Sequence, residues 1–117
     1  MLEEKAKDVG RLIGQSSEYQ TLKRSSEGLN NDREAVALLQ EMEKLRGEAQ
    51  ALIQRGENPT PEMEQQLDAM LEKIQAQAAY QRAVSAQENF DKLMLRVNQW
   101  IMDGMKKGAA SPIITLS

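Results

Sequence analysis

The 117-residue chain contains no cysteine and no histidine. The first absence excludes disulfides and thiolate-held clusters built from this chain. The second removes the usual general base of nucleophilic catalysis and the commonest metal ligand. Aromatic residues make up 3% of the sequence, with one Trp, two Tyr and one Phe. A core must therefore come from Leu, Met, Ile, Val and Ala, a set that suits slim helix packing better than a deep ligand pocket. Three prolines and seven glycines leave long stretches without a break. No apolar run is long enough to span a bilayer, and the first residues, Met-Leu-Glu-Glu-Lys, do not resemble a secretion signal. A cytoplasmic location is expected.

Fifteen Lys and Arg stand against eighteen Asp and Glu, for a net charge of −3. No basic stripe marks a nucleic-acid surface, and the short pairs Lys23-Arg24 and Lys106-Lys107 are thin support for one. Direct nucleic-acid binding is not expected. Carboxylates are plentiful, but most fall on what should be solvated helix faces. An inward-facing di-iron motif needs the missing His, and no glycine-rich phosphate loop is present. The residues thus predict no catalytic centre, no cofactor and no metal site.

What is present is helical periodicity. Ala35, Leu38, Met42, Leu45, Ala49 and Leu52 recur every three or four positions, while Glu41, Lys44, Glu48 and Arg55 fall off that line. A helix from about Asp32 to Arg55 would run roughly 36 Å at 1.5 Å per residue. Asn31 and Glu34 have the spacing of a capping box at its start. Gly47 inside it reads as a surface glycine or as a point of close helix approach. Gly56-Glu57-Asn58-Pro59-Thr60-Pro61 then predicts a stop, a short connection and a new start, with Thr60 as cap and Pro61 in the first turn. Met63, Leu67, Met70 and Ile74 form the return seam of an antiparallel hairpin.

Upstream, Leu2, Ala6, Val9 and Ile13, with Leu12 beside them, predict a first helix ending at Gly14. Ser17-Glu18-Tyr19-Gln20 reads as the capping box of a second. Downstream, the seam slips. Ala83, Ala86, Phe90, Leu93, Val97 and Trp100 resume nine positions beyond Ile74, which predicts a break near Gln77–Tyr80, with one continuous helix as the alternative. The last helix should reach about Lys107, with Gly108 ending it. The expected organisation is one helical domain over residues 1–107 and a tail over 108–117.

The order of these pieces resembles the YlbF/YmcA family of small helical bacterial regulators. Ser17-Glu18-Tyr19-Gln20-Thr21-Leu22-Lys23, Asp32-Arg33-Glu34-Ala35, the long helix ending at Gly56 and Ala86-Gln87-Glu88 carry the resemblance, which extends from about Lys5 to Met105. The resemblance implies an all-α fold, self-association (usually as a dimer) and a non-enzymatic role. It also implies action in protein complexes that influence competence, sporulation and biofilm formation, linked to messenger-RNA processing by a membrane-bound endoribonuclease. Some members hold iron–sulfur clusters on cysteines. This chain has no cysteine, so that cofactor is not carried over.

The expected architecture is an all-α antiparallel hairpin or bundle of four to five long, coiled-coil-like helices, assembled as a homo-oligomer that meets a protein partner. Leu38, Met42, Leu45, Leu52, Met63, Leu67, Met70 and Ile74 are expected to build the hairpin core. Phe90, Leu93, Val97, Trp100 and Ile101 are expected to make the last-helix contact, within or between protomers. If Trp100 is buried in the chain, its truncation to Ala should cost about 3–5 kcal/mol.

Overall fold

The structure is a computed structural model, and it describes residues 1–110. Five helices follow in order: α1 Leu2–Gln15, α2 Ser17–Asn31, α3 Arg33–Gln54, α4 Pro61–Gln75 and α5 Ala78–Ala110. The described residues form no strand. The fold is all-α, as the periodicity predicts.

Each junction is built from local chemistry. Ser16, not Ser17, caps α2. It leaves the helix with extended angles (φ −65°, ψ 151°), and its hydroxyl accepts from the Tyr19 amide at 3.1 Å. The Ser17 hydroxyl turns to the Glu18 carboxylate instead, at 3.0 Å. Asp32, not Asn31, caps α3, accepting from the Ala35 amide at 3.0 Å. In both places two adjacent residues can cap, and the one that adopts the extended backbone does so. Thr60 caps α4 as expected, with Pro61 in the first turn.

Gly56 ends the α3 hairpin arm at φ +80°. Its amide donates to Ile53 at 3.0 Å, and the Glu57 amide donates to Leu52 at 2.9 Å. That pair of bonds is the Schellman arrangement, which satisfies carbonyls the helix end would otherwise leave bare. The break between α4 and α5 falls at Ala76–Gln77 with neither Gly nor Pro. A glutamine ties it. The Gln81 side-chain amide donates back to the Gln75 carbonyl at 2.8 Å, and Gln20 does the same to Gly14 at the α1–α2 junction, also at 2.8 Å. The polar Gln81, in the first turn of α5, therefore serves the turn. At the far end α5 continues through Gly108 to Ala110, so Gly108 does not stop it. Residues 111–117 of the expected tail lie outside the described residues.

Two helix pairs make the body: α2 on α5 and α3 on α4. They meet where the end of α2 and the start of α3 lie beside the end of α4 and the start of α5. Ala35 and Ile74, both 2% exposed, sit at this crossing. The molecule measures 67 × 36 × 19 Å. Its smallest dimension equals about two helix diameters. The radius of gyration is 21.7 Å, against about 13 Å for a compact domain of similar length. The accessible surface is 9284 Å², roughly 40% more than a compact monomer of this mass exposes.

Nothing lies within 4 Å of a Cβ built on Gly47, so its surface reading holds within the chain. Gly47→Ala is expected to raise stability by up to about 1 kcal/mol. Gly56→Ala is expected to lower it by about 1–2 kcal/mol, because its positive φ is costly for any residue with a Cβ. Thermal unfolding of the two variants checks both signs.

Candidate interaction surfaces

The hairpin brings its predicted residues together. Met42 and Ile74 are buried, and Leu38, Leu45, Leu52, Met63, Leu67 and Met70 are half-buried. Two helices alone cannot surround a side chain, so half-burial is the rule along this seam. The fully covered positions also include Ala35 and Ala49, where small side chains let α4 approach closely. Sequence reasoning placed both on the seam but left them out of the expected core.

The second pair, α2 against α5, runs antiparallel. Tyr19 and Phe90 meet with ring centroids 5.8 Å apart and planes tilted by 58°, a favourable offset geometry. Beside them Arg96 reaches Glu18 at 3.5 Å. Glu18 stands in the first turn of α2, where free amides point outward. Its own backbone amide holds its carboxyl below the ordinary value, the Ser17 hydroxyl adds to this, desolvation opposes it, and Arg96 contributes least. A polar depression of about 430 Å³ lies along this pair, lined in part by Ser17, Thr21, Asn89, Lys92 and Arg96.

The last-helix residues divide. Val97 is buried and Phe90 and Leu93 are half-buried. Trp100 is 61% exposed and Ile101 49% exposed, so neither belongs to a core within the protomer. The physical reason is reach: α2 begins beside Arg96, and α5 continues past it without a packed neighbour. Trp100 and Ile101 instead help line an apolar groove of about 490 Å³ between α5 and α1, together with Leu93, Val97, Val9, Leu12 and Ile13. The α1 residues were outside the expected interaction set. Their signal was legible, because an apolar stripe at helical spacing on α1 calls for a cover, and α1 has no buried residue.

The sequence profile described as "Control of competence regulator ComK, YlbF/YmcA" matches residues 2–106. The chain belongs to the YlbF/YmcA family. It is 33% identical over 73 residues to a UPF0342 protein of Streptococcus gordonii, covering 62% of this chain and 65% of that protein. It is 31% identical over 83 residues to a UPF0342 protein of Streptococcus mutans, covering 71% of this chain and 74% of the relative. A UPF0342 protein of Desulfitobacterium hafniense is 27% identical over 95 residues, 81% of this chain and 72% of its own length. The match to the Streptococcus gordonii protein thus takes in a little under two-thirds of that relative. The family is a regulatory one, linked to control of ComK. Among the described residues, no helix of this YlbF/YmcA member is long and apolar enough to cross a membrane.

A lowered carboxyl value gives stability that is complete above the ordinary value of 4.5 and is lost as pH falls through the lowered one. The thermal midpoint of the wild type should therefore exceed that of Glu18→Gln at neutral pH, and the gap should close on acidification below that range. A gap that stays constant with pH would show that the Glu18 carboxylate does not stabilise the first turn of α2.

Proposed function

We propose that this YlbF/YmcA member is a non-enzymatic regulatory adaptor of the cytoplasm, which self-associates and binds a protein partner. The observation that carries the reading is the excess of accessible surface over that of a compact monomer of equal mass. A body about two helices thick cannot hide its apolar seams internally, so burial is completed between molecules. Membership in a family tied to ComK control supports a regulatory outcome. The resemblance extends that outcome to a complex controlling messenger-RNA processing and developmental programmes such as competence.

The reading makes the composite surface the active element. Two or more chains hold their seams together and present the remaining faces to the partner. The partner-facing residues are expected among the exposed side chains of the hairpin, which include Ile53.

Deletion of the coding sequence in its own bacterium is expected to change ComK-dependent transcription and the cleavage pattern of specific messengers. A tagged chain should recover a defined protein in fixed ratio, resistant to nuclease, and the purified pair should reassemble. Unchanged transcripts together with a chain recovered alone would overturn the proposal. Recovery of RNA, with affinity falling steeply as salt rises, would assign the chain to nucleic-acid binding instead.

A further inference from the structure

We infer that the open polar groove between α2 and the stretch of α5 from Ala78 to Arg96 receives an acidic helical segment of another protein. The inference rests on the partner binding proposed above and names the charge and shape of one partner segment.

The first support is continuity. The depression of about 430 Å³ beside Glu18 shares Thr21, Ala86 and Asn89 with a second of about 490 Å³. That one shares Ser25 and Arg82 with a third of about 210 Å³, which reaches Asp32. The three therefore make one groove. Along α5 it runs from Ala78 to Arg96, about 27 Å at 1.5 Å per residue. Thr21, Ser25 and Ala86 are short side chains, so a third helix can lie close along its floor. A helix laid in a groove is a recurring mode of peptide recognition.

The second support is the state of the charges inside. Four exposed cations line the groove: Arg24, Arg82, Lys92 and Arg96. Arg24 and Arg82 share the depression at one end. Lys92 and Arg96, four residues apart on one face of α5, share the depression at the other. The two carboxylates of the groove are already engaged. Glu18 accepts from the Ser17 hydroxyl at 3.0 Å and meets Arg96 at 3.5 Å. Asp32 accepts from the Ala35 amide at 3.0 Å. Among the described residues, no carboxylate lies within ion-pair distance of Arg24, Arg82 or Lys92. An anionic segment would supply those partners.

The third support is selection. The hairpin, residues 33–75, carries nine acids against five bases, so it turns an acidic segment away. Helices α2 and α5 carry seven bases against five acids. Complementary charge steers the segment to this pair and fixes its register. Arg82 and Lys92 are ten residues apart, about 15 Å or three helical turns. A helix with carboxylates at that separation matches both ends at once. No aromatic side chain lines the groove, so it lacks the stacking platform of a single-stranded nucleic-acid channel.

Fluorescence anisotropy of the full chain with a labelled peptide tests this. The probe is an alanine-rich helix of about 18 residues, the length of the groove, with a pair of glutamates near each end on one face. It should bind the wild type, and a scrambled peptide of the same composition should bind about tenfold more weakly. Arg82→Glu and Lys92→Glu should each weaken the peptide by about tenfold. Lys44→Glu makes the same charge change on the hairpin and should leave binding nearly unchanged. All three side chains are exposed, so circular dichroism should show unchanged helix content. If one groove variant loses helix, the other decides. A wild type that ignores the peptide, equal binding of the scrambled one, or equal loss from Lys44→Glu overturns the inference. So does a single-stranded RNA of matching length that binds more tightly and depends on Arg82 and Lys92, which would make the groove a phosphate site. Recovery of the partner with a tagged chain separates this inference from the reading beneath it. The double variant Arg82→Glu, Lys92→Glu should no longer recover the protein that the wild type recovers. Unchanged recovery overturns the groove and leaves the adaptor reading standing, whereas a wild type recovered alone overturns both.

Discussion

Side-by-side contact between two helices covers one stripe of each and leaves the flanks in water. Among the described residues the most extensive packing is of that kind: α2 on α5, and α3 on α4. Among the described residues no third layer closes over either pair, and the smallest dimension is 19 Å. The covered positions are correspondingly few. Ala35, Met42, Ala49, Ile74, Ala86 and Val97 are buried, and three of these six are alanines. Small residues are covered first because they let backbones approach, while Leu and Met beside them remain half in water.

This constraint organises the junctions as well. A thin body cannot rely on a large core to fix the angles between its helices. The turns carry that duty through specific bonds: Ser16, Asp32 and Thr60 at helix starts, Gly56 at a helix end, and Gln20 and Gln81 tying back across breaks. The contacts between α2 and α5 add an aromatic pair and an ion pair at the far end of the same helices. The arrangement holds the two pairs at one crossing while α1 and the end of α5 line an open apolar groove.

The same thinness connects structure to the regulatory role of the YlbF/YmcA family. A partner-binding protein needs surface that is costly to leave exposed. The described residues supply such surface as apolar stripes, with Leu12, Trp100 and Met105 among the exposed side chains. Such stripes would serve the self-contact and partner contact of the proposed adaptor role.

The helices and most of their ends were legible in the residues, because a helix is written in short-range periodicity and its ends in caps, Gly and Pro. The break near Gln77 was readable from a seam out of step, without any breaker residue. The hairpin core was readable too, since Gly56 to Pro61 forces α4 back along α3. Cap identity was not. Ser16 and Ser17, or Asn31 and Asp32, are chemically equivalent candidates, and the choice follows from the angle at which successive helices dock. Nor could the sequence alone place Trp100. Val97 and Trp100 belong to one continuous seam, yet the first is buried and the second open to water. Periodicity tells which face of a helix is apolar. How far along that face a neighbour extends depends on where α2 starts, and only the assembled tertiary structure decides that.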